Sequence, residues 1–240
     1  MIGSIFHTGI YAPLYNGLVY LVEILPWHDM GLAVIVLTII VKIILFPLSR
    51  KAVQAQMAMK ALTPDIEAIK KMHAKDREAQ SKAIFALYKE RDIHPFAGLG
   101  LVLIQFPVLI GLYWVFSHGG FPEVDTSVLY DFVPVPSNIH MDFLGFIPLS
   151  GNSILLALTA AITQFFYTRL SMGPVATVDP TPVESSLSGD LAKSFDTQAR
   201  YVLPAFIGII SYSVAAAAPL YWTTSNIAMI IQEYLSGRRF

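Results

Sequence analysis

Residues 31–48, GLAVIVLTIIVKIILFPL, form an apolar run long enough to cross a bilayer, and a single cation, Lys42, stands inside it. At about 1.5 Å of rise per residue, Lys42 lies roughly 16 Å from Gly31, close to the middle of a hydrocarbon core about 30 Å thick. A lysine at that depth costs about 2.5 to 3.5 kcal/mol, so a reason for keeping it is needed. Thr38 falls one turn earlier on the same helical face. Two readings are open: Lys42 snorkels to the cytoplasmic interface, or it faces a water-filled cavity and meets something negative there.

Composition places the rest of the chain in the same medium. Hydrophobic residues make up 55% of the 240 positions and charged residues 14%, where a soluble protein carries about a quarter charged residues. The absence of cysteine excludes disulfides, thiol catalysis, Cys-ligated metals and a Cys-linked lipid anchor. No Lys or Arg occurs in residues 1–41, which argues against a basic signal peptide or an Arg-rich transit peptide. The expectation is a complete, unprocessed integral membrane protein.

Residues 1–30 are apolar but interrupted by His7, Pro13, Asn16, Glu23 and Pro26. Residues 14–25 are too short to span and are read as an external, interfacial helix; an extra span over 5–25 is the alternative. After the first span, at 31–49, residues 50–93 turn basic, holding Arg50, Lys51, Lys60, Lys70, Lys71, Lys75, Arg77, Lys82, Lys89 and Arg91. Ala55, Met59, Leu62, Ile66 and Ile69 alternate four and three apart like a coiled-coil seam. Thr63 and Pro64 signal a helix cap and restart, and a second helix is predicted over about 76–91. This is a cytoplasmic helical hairpin.

The second span follows at 94–117, with Gly98, Gly100 and Gly111 for close packing and a kink expected at Pro107. An external loop occupies 118–151 and the third span 152–170. A Pro/Ser/Thr/Asp-rich cytoplasmic loop covers 171–200. Two short spans, 201–217 and 218–236, meet near 215–219, and 237–240 form a short cytoplasmic tail. Every Lys and Arg except Lys42 lies in 50–91, 169–200 or 238–239. Five spans with the N-terminus outside satisfy this distribution at every loop. The fold class expected is an all-α integral membrane protein: a five-helix transmembrane bundle with a cytoplasmic helical hairpin and an N-terminal interfacial helix.

No catalytic constellation is read from the residues. The six histidines show no metal-ligand spacing, no phosphate-binding loop is present, and no specific nucleic-acid site, cofactor or metal is expected. What remains is polar side chains within spans: Thr38, Lys42, Gln105, Gln164, Thr168, Ser211, Ser213, Thr223, Thr224, Ser225 and Asn226. Singly, such groups join helices; with a mid-membrane cation they suggest a hydrated pocket open to the cytoplasm.

Four motifs carry a resemblance. They are TIIVKIILFPLSRKA at 38–52, MKALTPDIEAIKK at 59–71, ALYKERDIHPFAGLGLVLIQFPVLIGLYWVF at 86–116 and PLYWTTSNIAMIIQEYL at 219–235. In this order the chain resembles the YidC/Oxa/Alb membrane protein insertases, in the minimal bacterial form, over roughly 10–236. The resemblance implies a non-enzymatic insertase and chaperone of the bacterial plasma membrane, whose groove is closed to the outside and draws in hydrophilic parts of a substrate. It places the groove cation on Lys42 and a groove-facing aromatic on Trp222, which could equally anchor the outer interface. Thr38, Gln105, Gln164 and Asn226 join this substrate-binding groove from the residues themselves. The implied partners are nascent membrane proteins, membrane lipids, the ribosome through the hairpin, and the Sec translocon.

Three departures stand out. Lys42 replaces a frequent arginine, and a desolvated lysine can lose its proton where arginine does not. His94 stands where relatives carry Asn before Pro95, and the tail lacks a long basic extension. The rival readings are a small transporter or channel using Lys42 as an anion site, and a purely structural assembly subunit. No internal repeat or second intramembrane ionisable partner favours transport.

Overall fold

A computed structural model describes residues 2–74, 76–93, 100–173 and 197–237. The start of the second span at 94–99, most of the 171–200 loop and residues 238–240 lie outside the described residues. The described chain is mostly helical. It divides into two compact units, Met1–Ile43 with Val108–Phe240, and Ile44–Pro107.

In the first unit, α1 (Ile2–Phe6) continues through a π-helical turn (His7–Tyr11) into α2 (Ala12–Ile24). The N-terminal helical path thus starts at Ile2 rather than at residue 14. Pro13 follows this π-helical turn and, lacking an N–H, leaves a carbonyl of the preceding turn without its helical donor. Tyr15, Leu18, Val19 and Val22 of α2 are fully buried. The predicted interfacial segment therefore has a deeply packed face.

Helix α3 (Met30–Ala61) opens with an acidic cap. Asp29 Oδ1 accepts the N–H groups of Gly31 and Leu32 at 2.7 and 3.1 Å, two of the four donors a helix start leaves without partners. The helix passes through Pro47 without a break and ends at Ala61. The expected boundary between the first span and the hairpin therefore falls inside one helix. Helix α6 (Gly100–His118) is likewise assigned as one helix across Pro107.

Between α6 and α7 (Ile154–Met172) lies the long loop, which folds back onto α2 and the first turn of α3. Tyr15 Oη donates to Gly119 O at 2.9 Å and accepts the Asp125 N–H at 2.7 Å. Asn16 donates to Val128 O and accepts the Tyr130 N–H. Within this loop the Ser127 hydroxyl and amide donate to the Asp125 carboxylate and hold its pKa below the ordinary value. A two-stranded antiparallel hairpin, β1 (Asp142–Phe143) and β2 (Ile147–Pro148), pairs Asp142 with Pro148 and Phe143 with Ile147.

Helix α7 packs along α8 (Leu203–Ser213) and α9 (Ala217–Leu235). The chain breaks at Val214–Ala216, within the region predicted for the last turn-round. A π-helical turn (Gln198–Val202) leads into α8. Among the described residues, Met30–Ala61 and Ile154–Met172 are long and apolar enough to cross a bilayer.

The second unit holds the hairpin helices α4 (Thr63–Met72) and α5 (Arg77–Glu90). The predicted restart at Thr63–Pro64 is present, but Thr63 does not cap α4: its hydroxyl donates to Lys60 O at 2.7 Å and finishes α3 instead. Asp76 caps α5 by accepting the N–H groups of Glu78 and Ala79. Gln80 donates to Lys70 O and ties the two helices together. The exposed Glu78–Lys82 pair is an i,i+4 contact of a kind that contributes about 0.3–0.5 kcal/mol.

Candidate functional site

Helices α3, α7 and α9 share a pattern within the first unit. Each starts in the same apolar core and becomes polar further along, beginning roughly one and a half to two turns from its first residue. The core takes Met30, Ala33, Val34 and Leu37 from α3, Leu156 from α7, and Ala217, Leu220 and Tyr221 from α9. It adds Leu14, Tyr15 and Leu18 of α2 and Val133, Ile139, Ile147 and Leu149 of the loop. Below it come Thr38 and Lys42 on α3, Thr159, Thr163, Gln164 and Thr168 on α7, and Thr223, Thr224, Ser225 and Asn226 on α9. At ~1.5 Å per residue, Thr38, Lys42, Gln164 and Asn226 lie roughly 12, 18, 15 and 14 Å from the first residue of their own helices.

The polar groups of α7 and α9 meet directly. Asn226 Nδ2 donates to Thr163 Oγ1 at 3.3 Å, and the Thr159 and Thr223 hydroxyls lie 3.2 Å apart. Gln164 Nε2 donates to Thr168 Oγ1 at 3.1 Å along α7. Gln164 and Asn226 are both buried. In hydrocarbon such interhelical bonds each contribute about 0.6 to 2 kcal/mol, because the alternative is a polar group without a partner.

Thr38 is 1% exposed, and its hydroxyl donates to Val34 O at 2.6 Å. It therefore faces the packed side of α3 with its proton already used. Lys42 and Trp222 are half-buried. Gln105, also half-buried, belongs to the second unit and is described with it. Of the predicted groove residues, the structure thus bonds Asn226 across to α7 through Thr163, while Gln164 is bonded to Thr168 within α7.

Arg200, Gln232 and Glu233 are among the buried polar residues that escaped the sequence reading. Arg200 is buried, and its Nη1 donates to Gly173 O at 2.7 Å, beyond the last turn of α7. A cation at that place satisfies a terminal carbonyl and meets the negative end of the helix dipole. Gln232 and Glu233 are buried near the end of α9. The signal was present for Glu233: it stands seven residues after Asn226, on the same helical face. Asp29, Tyr15 and Asn16 were also missed as loop-holding groups. Asp29 was detectable as an acid placed directly before a long apolar helix.

Residues 22–240 match the family model described as 60Kd inner membrane protein. The chain is 29% identical over 206 residues to a membrane protein insertase YidC of Fusobacterium nucleatum, covering 86% of this chain and 85% of that one. It is 29% identical to a membrane protein insertase YidC of Clostridium tetani, with 89% and 84% covered. Similarity at 32% identity extends to the ALBINO3-like protein 1, chloroplastic, of Arabidopsis thaliana, of which the chain spans 42%. The chain spans between 31% and 35% of three longer bacterial relatives.

Proposed function

The chain belongs to the 60Kd inner membrane protein family, the YidC/Oxa/Alb insertases, and we propose that it inserts and helps fold integral membrane proteins in a bacterial inner membrane. The observation that carries this reading is the family match across residues 22–240, joined by relatives of nearly the same length that bear the insertase name. The reaction makes and breaks no covalent bond. The task is physical: lowering the cost of carrying a short hydrophilic segment through a low-dielectric layer.

In this proposal five helices span the membrane, with the N-terminus outside, the C-terminus in the cytoplasm, and the 50–93 hairpin on the cytoplasmic side. The apolar core at the starts of α3, α7 and α9 seals the outer side. The polar stretches that follow keep a groove hydrated from the cytoplasm. Lys42 supplies positive potential there, and Gln105, Gln164, Trp222 and Asn226 line the path, with Thr38 behind Lys42 on the packed side of its helix. An acidic substrate tail gains from the cation what it loses in hydration, while the adjoining apolar segment moves sideways into lipid. The basic hairpin is the proposed contact for the ribosome, and the Sec translocon a further partner.

The test is insertion of a single-span protein with a short acidic outer tail into liposomes holding only this protein, read by protease protection of the tail. Wild type and Lys42→Arg are expected to insert it, and Lys42→Glu to lose insertion. Equal activity of the Arg and Glu variants would remove the electrostatic mechanism. Failure of wild type, with the protein folded, would remove autonomous insertion.

A further inference from the structure

Two bulky apolar residues on either side of Asp29 hold backbone conformations that such residues normally avoid. Trp27, in the turn before α3, has φ of +61°, and the following His28 has +49°. Leu144, at the tip of the β1–β2 hairpin, has φ of +54°, and Gly145 after it has +79°. The Gly145 and Phe146 N–H groups donate to Asp142 O and Phe143 O, closing a tight turn with two successive left-handed residues. Asn and Gly take such positions at low cost, whereas a leucine or tryptophan crowds its Cβ against the following carbonyl.

These side chains gain little packing inside the protein in return. Trp27 is 73% exposed, Leu144 48% and Phe146 66%. A conformational penalty combined with an exposed apolar side chain points to a partner outside the chain.

The position of the hairpin identifies that partner. Asp29 Oδ2 accepts the Leu144 N–H at 2.7 Å, while its Oδ1 caps α3. Phe143 lies over Gly31, where any Cβ would collide with its ring. His140 N donates to His28 O, and Met30 N donates to His140 O. The hairpin tip and the Trp27 turn are thereby fastened to the first turn of a long apolar helix, which the proposed orientation sets where hydrocarbon gives way to headgroups. The tip itself, Leu144-Gly145-Phe146, carries no charge. Aromatic and aliphatic side chains at that depth are favoured by lipid.

We propose that Trp27, Leu144 and Phe146 form a wedge that enters the outer leaflet and fixes the depth of α3, and with it the depth of Lys42. This rests on the membrane orientation proposed above. The occupant is lipid, in continuity with the surface that the span presents to the bilayer.

The chain has no cysteine, so single spin labels can be placed at Trp27→Cys, Leu144→Cys and Phe146→Cys in protein reconstituted into liposomes. Ile43→Cys, on an exposed face of α3, and Ser81→Cys, on the exposed hairpin, serve as the lipid and water references. The wedge labels are expected to follow Ile43: relaxed by oxygen and shielded from a water-soluble nickel chelate. If they follow Ser81, or are shielded from both reagents as beneath a protein partner, the wedge is overturned while the membrane reading stands. If the Ile43 label itself follows Ser81, the membrane reading fails first. Should one variant not fold, the other two carry the same measurement.

Discussion

At ~1.5 Å per residue, Lys42 and Asn226 lie roughly 18 and 14 Å along their own helices. Asn226 is buried and already bonded to Thr163, so its role is to join α7 to α9. A cycle of Thr163→Val, Asn226→Leu and the double variant, read by unfolding in detergent, should show a coupling of about 0.6 kcal/mol. Strict additivity would mean that the bond contributes nothing. The sequence marked both residues as polar in apolar surroundings. It could not say which polar group was spent on a neighbour, because Asn226 and Thr163 stand 63 positions apart and meet only after both helices have packed.

At the scale of elements, two contacts set how the helices and the loop close together. Gly111 lets α6 approach the N-terminal helix, where a Cβ would come within 2.6 Å of Leu14 and 2.7 Å of Ile10. Gly111→Val should destabilise by about 1–3 kcal/mol through overpacking. Gly3, with open space around it, should accept alanine with a change of under about 1 kcal/mol. Thermal unfolding distinguishes the two, and equal shifts would discount the packing argument. Asp29 does for the loop what Gly111 does for α6, accepting N–H groups from Gly31, Leu32 and Leu144. Asp29→Ala should cost about 1–3 kcal/mol for the donors it strands and raise hydrogen exchange across 140–148. Unchanged exchange there would show that the loop is held by other means. Parts of the helical pattern were legible in the chain, including the restart at Thr63–Pro64 and a second helix from about residue 76, since restart signals and apolar periodicity are local. The hold of Tyr15 and Asn16 on the loop was not, because their partners stand 104 to 114 positions away in the chain.

For the whole molecule, the segregation of bases is the feature with the widest reach. Ten of the sixteen Lys and Arg residues lie in 50–91. Deleting residues 60–90 should abolish insertion while leaving the protein in the membrane, because the apolar helices lie outside that stretch. Membrane fractionation with the protease-protection assay measures both, and a fully active deletion would show the hairpin to be dispensable.

The sequence by itself determined the membrane medium, the mostly helical character of the chain and, through its motifs, the family to which the chain belongs. All of these follow from composition, apolar run length and motif order, quantities that need no knowledge of distant contacts. Only the tertiary structure decided that the apolar core gathers at the starts of α3, α7 and α9, that Thr38 faces its packed side, and that Asn226 is bonded while Arg200 and Glu233 are buried. The direction a helical side chain faces depends on the rotation of its helix about its own axis. That rotation is set by the simultaneous fit of side chains from several helices and the folded-back loop, so no single segment encodes it.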